Sequence, residues 1–131
     1  MTYVAPFAFL KQRYKITAVE DVDRVSLSYR DFMEIVYALL RGVAVDDAWY
    51  CREYPDVAEA IRRGIFKSAK HHFLENGYLE GRRPGPCAVD EEWYLLTYPD
   101  VSVAIEARAV MSATEHFFNS GYDEGRLPSE Y

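Results

Sequence analysis

The chain has 131 residues, a mass of 15.2 kDa and a formal net charge of −6. Half of its residues are hydrophobic and 15% are aromatic, which excludes wholesale disorder and allows one domain with a sizeable core. The acidic balance argues against a nucleic-acid binder, which would show a clustered basic face, and no window approaches the ~18 apolar residues of a membrane span.

In chain order, the first 25 residues are predicted to form an extended arm. Leu10 to Ala18 alternates strictly, with Leu10, Gln12, Tyr14, Ile16 and Ala18 on one side and Lys11, Arg13, Lys15 and Thr17 on the other. Period two with aromatic and β-branched content predicts a strand. Thr2–Phe9 adds a second extended piece interrupted by Pro6. No secretory signal is expected, because no basic region precedes the first apolar stretch and Lys11, Arg13 and Lys15 follow it. Acidic Glu20, Asp21 and Asp23 mark a loop.

A helix is predicted over 26–42, starting at Ser26 or Ser28 and stopping before Gly42, with Phe32, Ile35, Val36, Leu39 and Leu40 as its apolar face. A lone strand cannot complete its backbone hydrogen bonds. Its partner would be a second copy, another protein's sheet edge, or a hairpin within the chain. The partner-binding candidates are therefore Lys11, Arg13, Tyr14 and Lys15, suited to an acidic partner.

The remainder says one thing twice. Residues 45–84 and 89–128 align without a gap, and 20 of the 40 pairs are identical. Such a period indicates a small supersecondary unit that buries its apolar face against a neighbour, hence a mainly α tandem repeat within a single domain. Each copy reads as three short helical pieces. Asp46 or Asp90 caps the first, which carries Trp49, Tyr50 and Tyr54, or Trp93, Tyr94 and Tyr98. Pro55 or Pro99 ends it and starts the second, striped by Val57, Ala60 and Ile61 or their equivalents.

Ser68 or Ser112 caps the third piece. Glu115 completes a capping box in the second copy, whereas the first has His71 there and is expected to lack one. Gly77 and Gly121 are read as left-handed helix stops, which would bring Phe73 to Tyr78 and Phe117 to Tyr122 in a Schellman ending. The Glu-Gly-Arg tails at 80–82 and 124–126 are read as turns. The expected core is Trp49, Tyr54, Phe73, Tyr78, Trp93, Tyr98, Phe117 and Tyr122, with both Trp rings largely buried.

The skeleton Trp-Tyr-x3-Tyr-Pro-Asp-Val-x2-Ala-Ile, Ser-Ala-x2-His-Phe-x3-Gly-Tyr-x-Glu-Gly-Arg resembles a short bacterial repeat found beside glycosyltransferase domains and in large surface or haemolysin-type proteins. The resemblance covers residues 45–128. It implies an accessory module loosely associated with polysaccharide and cell-surface machinery, and it transfers no enzymatic role.

Candidate chemistry is sparse. His71 and His72 are adjacent and so point ~100° apart on a helix; with His116 they form no zinc spacing, and no cofactor motif is present. The tryptophans and tyrosines could stack on sugars, but their helical spacing favours packing. Asp56, Asp100, Glu80 and Glu124 recur in both copies, which does not suit a catalytic pair that needs unlike environments. Cys51 and Cys87 occupy non-equivalent positions and read as thiols of a cytoplasmic protein. The reading is of a non-enzymatic interaction or adaptor protein that self-associates through its N-terminal strand, with a carbohydrate-binding accessory module or an enzyme's regulatory subunit as alternatives.

Overall fold

The computed structural model describes residues 5–15 and 25–130, all helix, turn or loop, without a strand among them. Helix α1 spans Phe7–Arg13 and α2 spans Tyr29–Leu40. They precede α3 (Asp47–Glu53), α4 (Pro55–Arg62) and α5 (Ala69–His72), which runs into a π-helical turn over Phe73–Gly77. Next come α6 (Glu91–Thr97), α7 (Pro99–Glu106), α8 (Ala113–His116) and a second π-helical turn over Phe117–Gly121. The chain divides into two compact units, one ending at Gly85 and the other starting at Pro86. None of the helices among the described residues is long and apolar enough to cross a membrane.

The expected strand is corrected where it can be seen. Residues 7–13 are helical, because Phe7, Leu10 and Tyr14 also lie at i, i+3 and i+7, and Pro6 is tolerated at a helix start. Leu10 is buried, and the Tyr14 hydroxyl donates to Glu34 on α2 at 3.1 Å. As a helix, residues 7–13 present no strand edge for β-pairing with another chain. The expected extended piece at 2–4, Ile16–Ala18 and the acidic residues Glu20, Asp21 and Asp23 lie outside the described residues.

Helix α2 lies within the expected 26–42, but of its expected apolar face Phe32 and Leu39 are exposed. Ser28 accepts from Asp31 N–H at 3.0 Å, and Leu40, with Val36 and Tyr37, packs on the first core.

Within each repeat the two ends meet. Asp46 N–H donates to the Pro84 carbonyl at 2.9 Å, and Asp90 N–H to the Pro128 carbonyl at 2.9 Å. The caps fall as expected on Asp46, Ser68, Asp90 and Ser112. Met111 N–H also donates to Glu115 at 2.6 Å, and in the first unit His71 Nδ1 takes the equivalent bond from Lys67 N–H at 3.0 Å. The absence of glutamate therefore costs the first copy no bond: imidazole serves as acceptor.

The Schellman ending is real but lies four residues later than expected. Gly81 and Gly125 have φ +76°, the left-handed value. Gly81 N–H donates to Tyr78 and Arg82 N–H to Gly77; Gly125 and Arg126 repeat this on Tyr122 and Gly121. Phe73 still meets Tyr78, and Phe117 meets Tyr122, edge to face at 6.2 and 6.0 Å, but across the π-helical turn.

A second left-handed position follows α4 and α7. It is Gly64 (φ 76°) in one unit and Arg108 (φ 58°) in the other. A side chain there pays a Cβ penalty, so Arg108→Gly should stabilise the second unit by about 1 kcal/mol. Urea melts would show this as a raised midpoint; an unchanged or lowered midpoint would refute the assignment.

Candidate functional site

The polar residues that carry the most chemistry assemble inside each unit. Tyr50, on α3, is fully buried, and its ring sits 4.7 Å from Tyr54 and 6.3 Å from Phe73. Its hydroxyl meets His72 Nδ1 at 2.9 Å. Burial pushes the Tyr50 phenol up to about 12 and holds His72 below its usual value, so both are neutral near pH 7. The neutral pair is satisfied when Tyr50 donates to Nδ1 and Nε2–H faces Glu80, 3.9 Å away. In the second unit Tyr94 meets His116 Nδ1 at 3.0 Å, and Ser120 Oγ lies 3.3 Å from Nε2.

The buried hydroxyls explain Gly77 and Gly121. A Cβ on either glycine would collide with the Tyr50 or Tyr94 hydroxyl oxygen. Neither glycine has positive φ, so what matters is the missing side chain. The π-helical turn widens the backbone at this point, with Tyr78 N–H bonded to Phe73 O and Tyr122 N–H to Phe117 O, five residues back.

A second arrangement closes the same end. Arg82 forks onto Asp56 at 2.9 and 2.7 Å, turns its Nε to Glu80 at 2.7 Å and lies 4.9 Å over the Tyr54 ring. Arg126 does the same with Asp100, Glu124 and Tyr98. The hydroxyls of Tyr54 and Tyr98 accept from the N–H groups of Arg83 and Leu127, each at 2.9 Å. The bonds from Arg82 and Arg126 hold the Asp56 and Asp100 carboxyls below the ordinary range. Asp56 faces water over most of its surface, so its pairing is worth no more than about 1 kcal/mol, although bidentate geometry fixes where the tail returns. This pairing spans 26 residues, and no local pattern in the sequence indicates which acid the tail arginine meets.

The expected core needs adjustment. Phe73 and Phe117 are buried, but Trp49 and Trp93 are only partly so, and Tyr78 and Tyr122 are exposed. Neighbouring Tyr50 and Tyr94 take the central place. Trp49 instead packs edge-on to Tyr54 and carries the Arg83 guanidinium 5.4 Å from its ring.

Of the partner-binding candidates, Lys11 lies over Phe7, while Arg13 lies over the Tyr14 ring at 5.6 Å. Tyr14 is committed to Glu34, and Lys15 sits in the turn after α1 with φ 53°. Cys51 and Cys87 are free thiols. Among the described residues no three His, Cys, Asp or Glu side chains gather as a metal site requires, and no buried side-chain polar atom lacks a partner. No protein-family model, curated protein or solved structure matches the chain.

Two predictions follow from this geometry. Gly77→Ala should cost about 2–4 kcal/mol through overpacking and a lost hydrogen bond, and adding Tyr50→Phe should recover part of that by removing the colliding oxygen. Additive losses in a double-mutant cycle would show that the two residues do not touch.

The second concerns pH. His72 and Asp56 bind protons more weakly folded than unfolded, so their stabilisation is present above their unfolded values of ~6.5 and ~3.9 and is lost as pH falls. Tyr50 is raised, so its share is present below ~10 and is lost as pH rises through about 12. Melting temperature should fall from pH 7 to 5, less so in His72→Gln, whose amide oxygen accepts without titrating. An equal fall in both proteins would remove His72 from the explanation.

Proposed function

We propose that this chain is a non-enzymatic interaction module, two copies of one closed helical unit that follow α1 and α2 in sequence, and that it engages a protein partner. One observation carries the reading: the buried residues Tyr50, Val57, Ala69, His72, Phe73 and Gly77 recur in the second copy, while a set of water-facing positions changes character. Arg52, Glu59, Lys67 and Arg83 align with Leu96, Val103, Met111 and Leu127. The latter four are 75, 64, 81 and 56% exposed. Charge on one copy thus becomes apolar surface on the other, which suits recognition of different surfaces from one scaffold.

The tyrosines, histidines, arginines and acids with catalytic potential bond to one another in equivalent ways, and a shared structural task accounts for them. The resemblance to the bacterial repeat suggests a setting near polysaccharide machinery. A sugar platform is less well supported, since Arg83 stacks on Trp49, the ring best suited to stacking. A regulatory subunit would be one form of the same interaction role.

Exposed Phe9 and Phe32 on α1 and α2 can be altered without entering the core. Affinity capture from the native cell, followed by reconstitution from purified proteins, should yield a stoichiometric partner that the Phe9→Asp, Phe32→Asp double variant binds less tightly. Saturable binding to a glycan array without any protein partner would overturn the reading.

A further inference from the structure

We infer that the cleft along α2 in the first unit receives an acidic peptide segment of the partner. This rests on the interaction-module reading and names the chemistry its partner must present.

Tyr37 of α2 and Arg41, which caps its C-terminus, stand in the walls of two cavities, of about 410 and 380 Å³. One continues to His71, Leu74 and Glu75, the other to Phe9, Arg13 and Tyr14. Each falls within the ~300–1,000 Å³ typical of binding pockets. The two carboxylates in the walls are already engaged. Glu34 accepts from Tyr14 at 3.1 Å and pairs with Arg30 at 3.5 Å, while Glu75 faces His71 Nε2 at 3.4 Å. The bond from Lys67 N–H occupies His71 Nδ1 and so leaves the proton on Nε2, directed at this cavity's acidic wall. Arg41, by contrast, has no ion pair for its guanidinium among the described residues, and Lys70 Nζ sits on its carbonyl at 2.8 Å, adding a second cation.

The second copy supplies an internal control. Both copies cap this turn with serine, Ser68 and Ser112. Around it the first carries Lys67, Lys70 and His71, and the second Met111, Thr114 and Glu115. Two lysines give +2 where a single glutamate gives −1, on equivalent caps. Either acceptor makes the cap bond, so the cap does not demand the histidine, and the second copy caps the same turn without the lysines. In a chain of net charge −6, the Lys70 ammonium beside Arg41, whose guanidinium has no ion pair among the described residues, calls for an anionic ligand.

The walls define which anion. Phe9, Tyr14, Tyr37 and Leu74 supply apolar surface, which a phosphate chain has no apolar groups to cover. Carboxylates spaced by apolar side chains satisfy both demands, with one carboxylate taking the Arg41 fork and an apolar residue lying on Tyr37 and Leu74.

The test is a ¹⁵N-amide NMR titration of the full chain with the peptide acetyl-Glu-Leu-Glu-Phe-Glu-amide. Saturable shifts at Tyr37, Arg41, His71 and Leu74 are expected. Binding should weaken at least about tenfold in Arg41→Glu and with the glutamine version of the peptide, and by less in Arg41→Gln. Melting curves establish that both variants fold. No saturable shift at millimolar peptide, equal binding of the glutamine peptide, or equal shifts from inorganic phosphate would each overturn the assignment. A cellular partner whose binding survives Arg41→Glu would overturn it too, while leaving the interaction-module reading standing.

Discussion

Each unit depends on a tyrosine hydroxyl buried beneath a glycine. A phenol as deep as that of Tyr50 must find a partner inside, because an unpaired buried hydroxyl costs about 1–3 kcal/mol. His72 supplies it, and to bring the imidazole and hydroxyl together the backbone must approach closely enough that residue 77 can carry no side chain. The helix opens into a π-helical turn at that point. The Schellman ending at Gly81 then reverses the chain, so that Arg82 reaches Asp56 and Pro84 reaches Asp46. Tyr94, Gly121, His116 and Arg126 follow the same sequence of constraints.

This dependence separates two kinds of residue. Tyr50, His72, Gly77 and Arg82, with their counterparts 44 positions on, are bound to the interior and to each other. Arg52, Glu59, Lys67 and Arg83 sit on the same frame, yet they face Leu96, Val103, Met111 and Leu127 in the alignment. Function is more economically sought in the second group. The His71–Glu115 pair of positions shows the distinction within one side chain, since both accept the same backbone bond while differing in charge.

Much of this was legible in the sequence wherever the cause was local. Asp46, Ser28, Ser68 and Pro55 announce caps and breaks within three or four residues of where they act. Local pattern failed at α1, where Leu10 and Tyr14 satisfy a period of two and a helical period alike, and packing of Leu10 decided for the helix. It failed at Gly77 because glycine is used both for positive φ and for a missing Cβ. The deciding partner, Tyr50, lies far away in sequence. For the same reason the Trp49-Tyr50 pair did not reveal which ring goes inside, and Asp56 gave no sign of Arg82.

The hydroxyl proton itself tests the account most directly. Proton NMR of the folded protein at neutral pH should show two slowly exchanging tyrosine hydroxyl resonances. One should give a nuclear Overhauser contact to the α-protons of Gly77 and the other to those of Gly121, with His72 unprotonated at Nδ1. Hydroxyls that exchange at the rate of free tyrosine, or a His72 protonated at Nδ1, would contradict it.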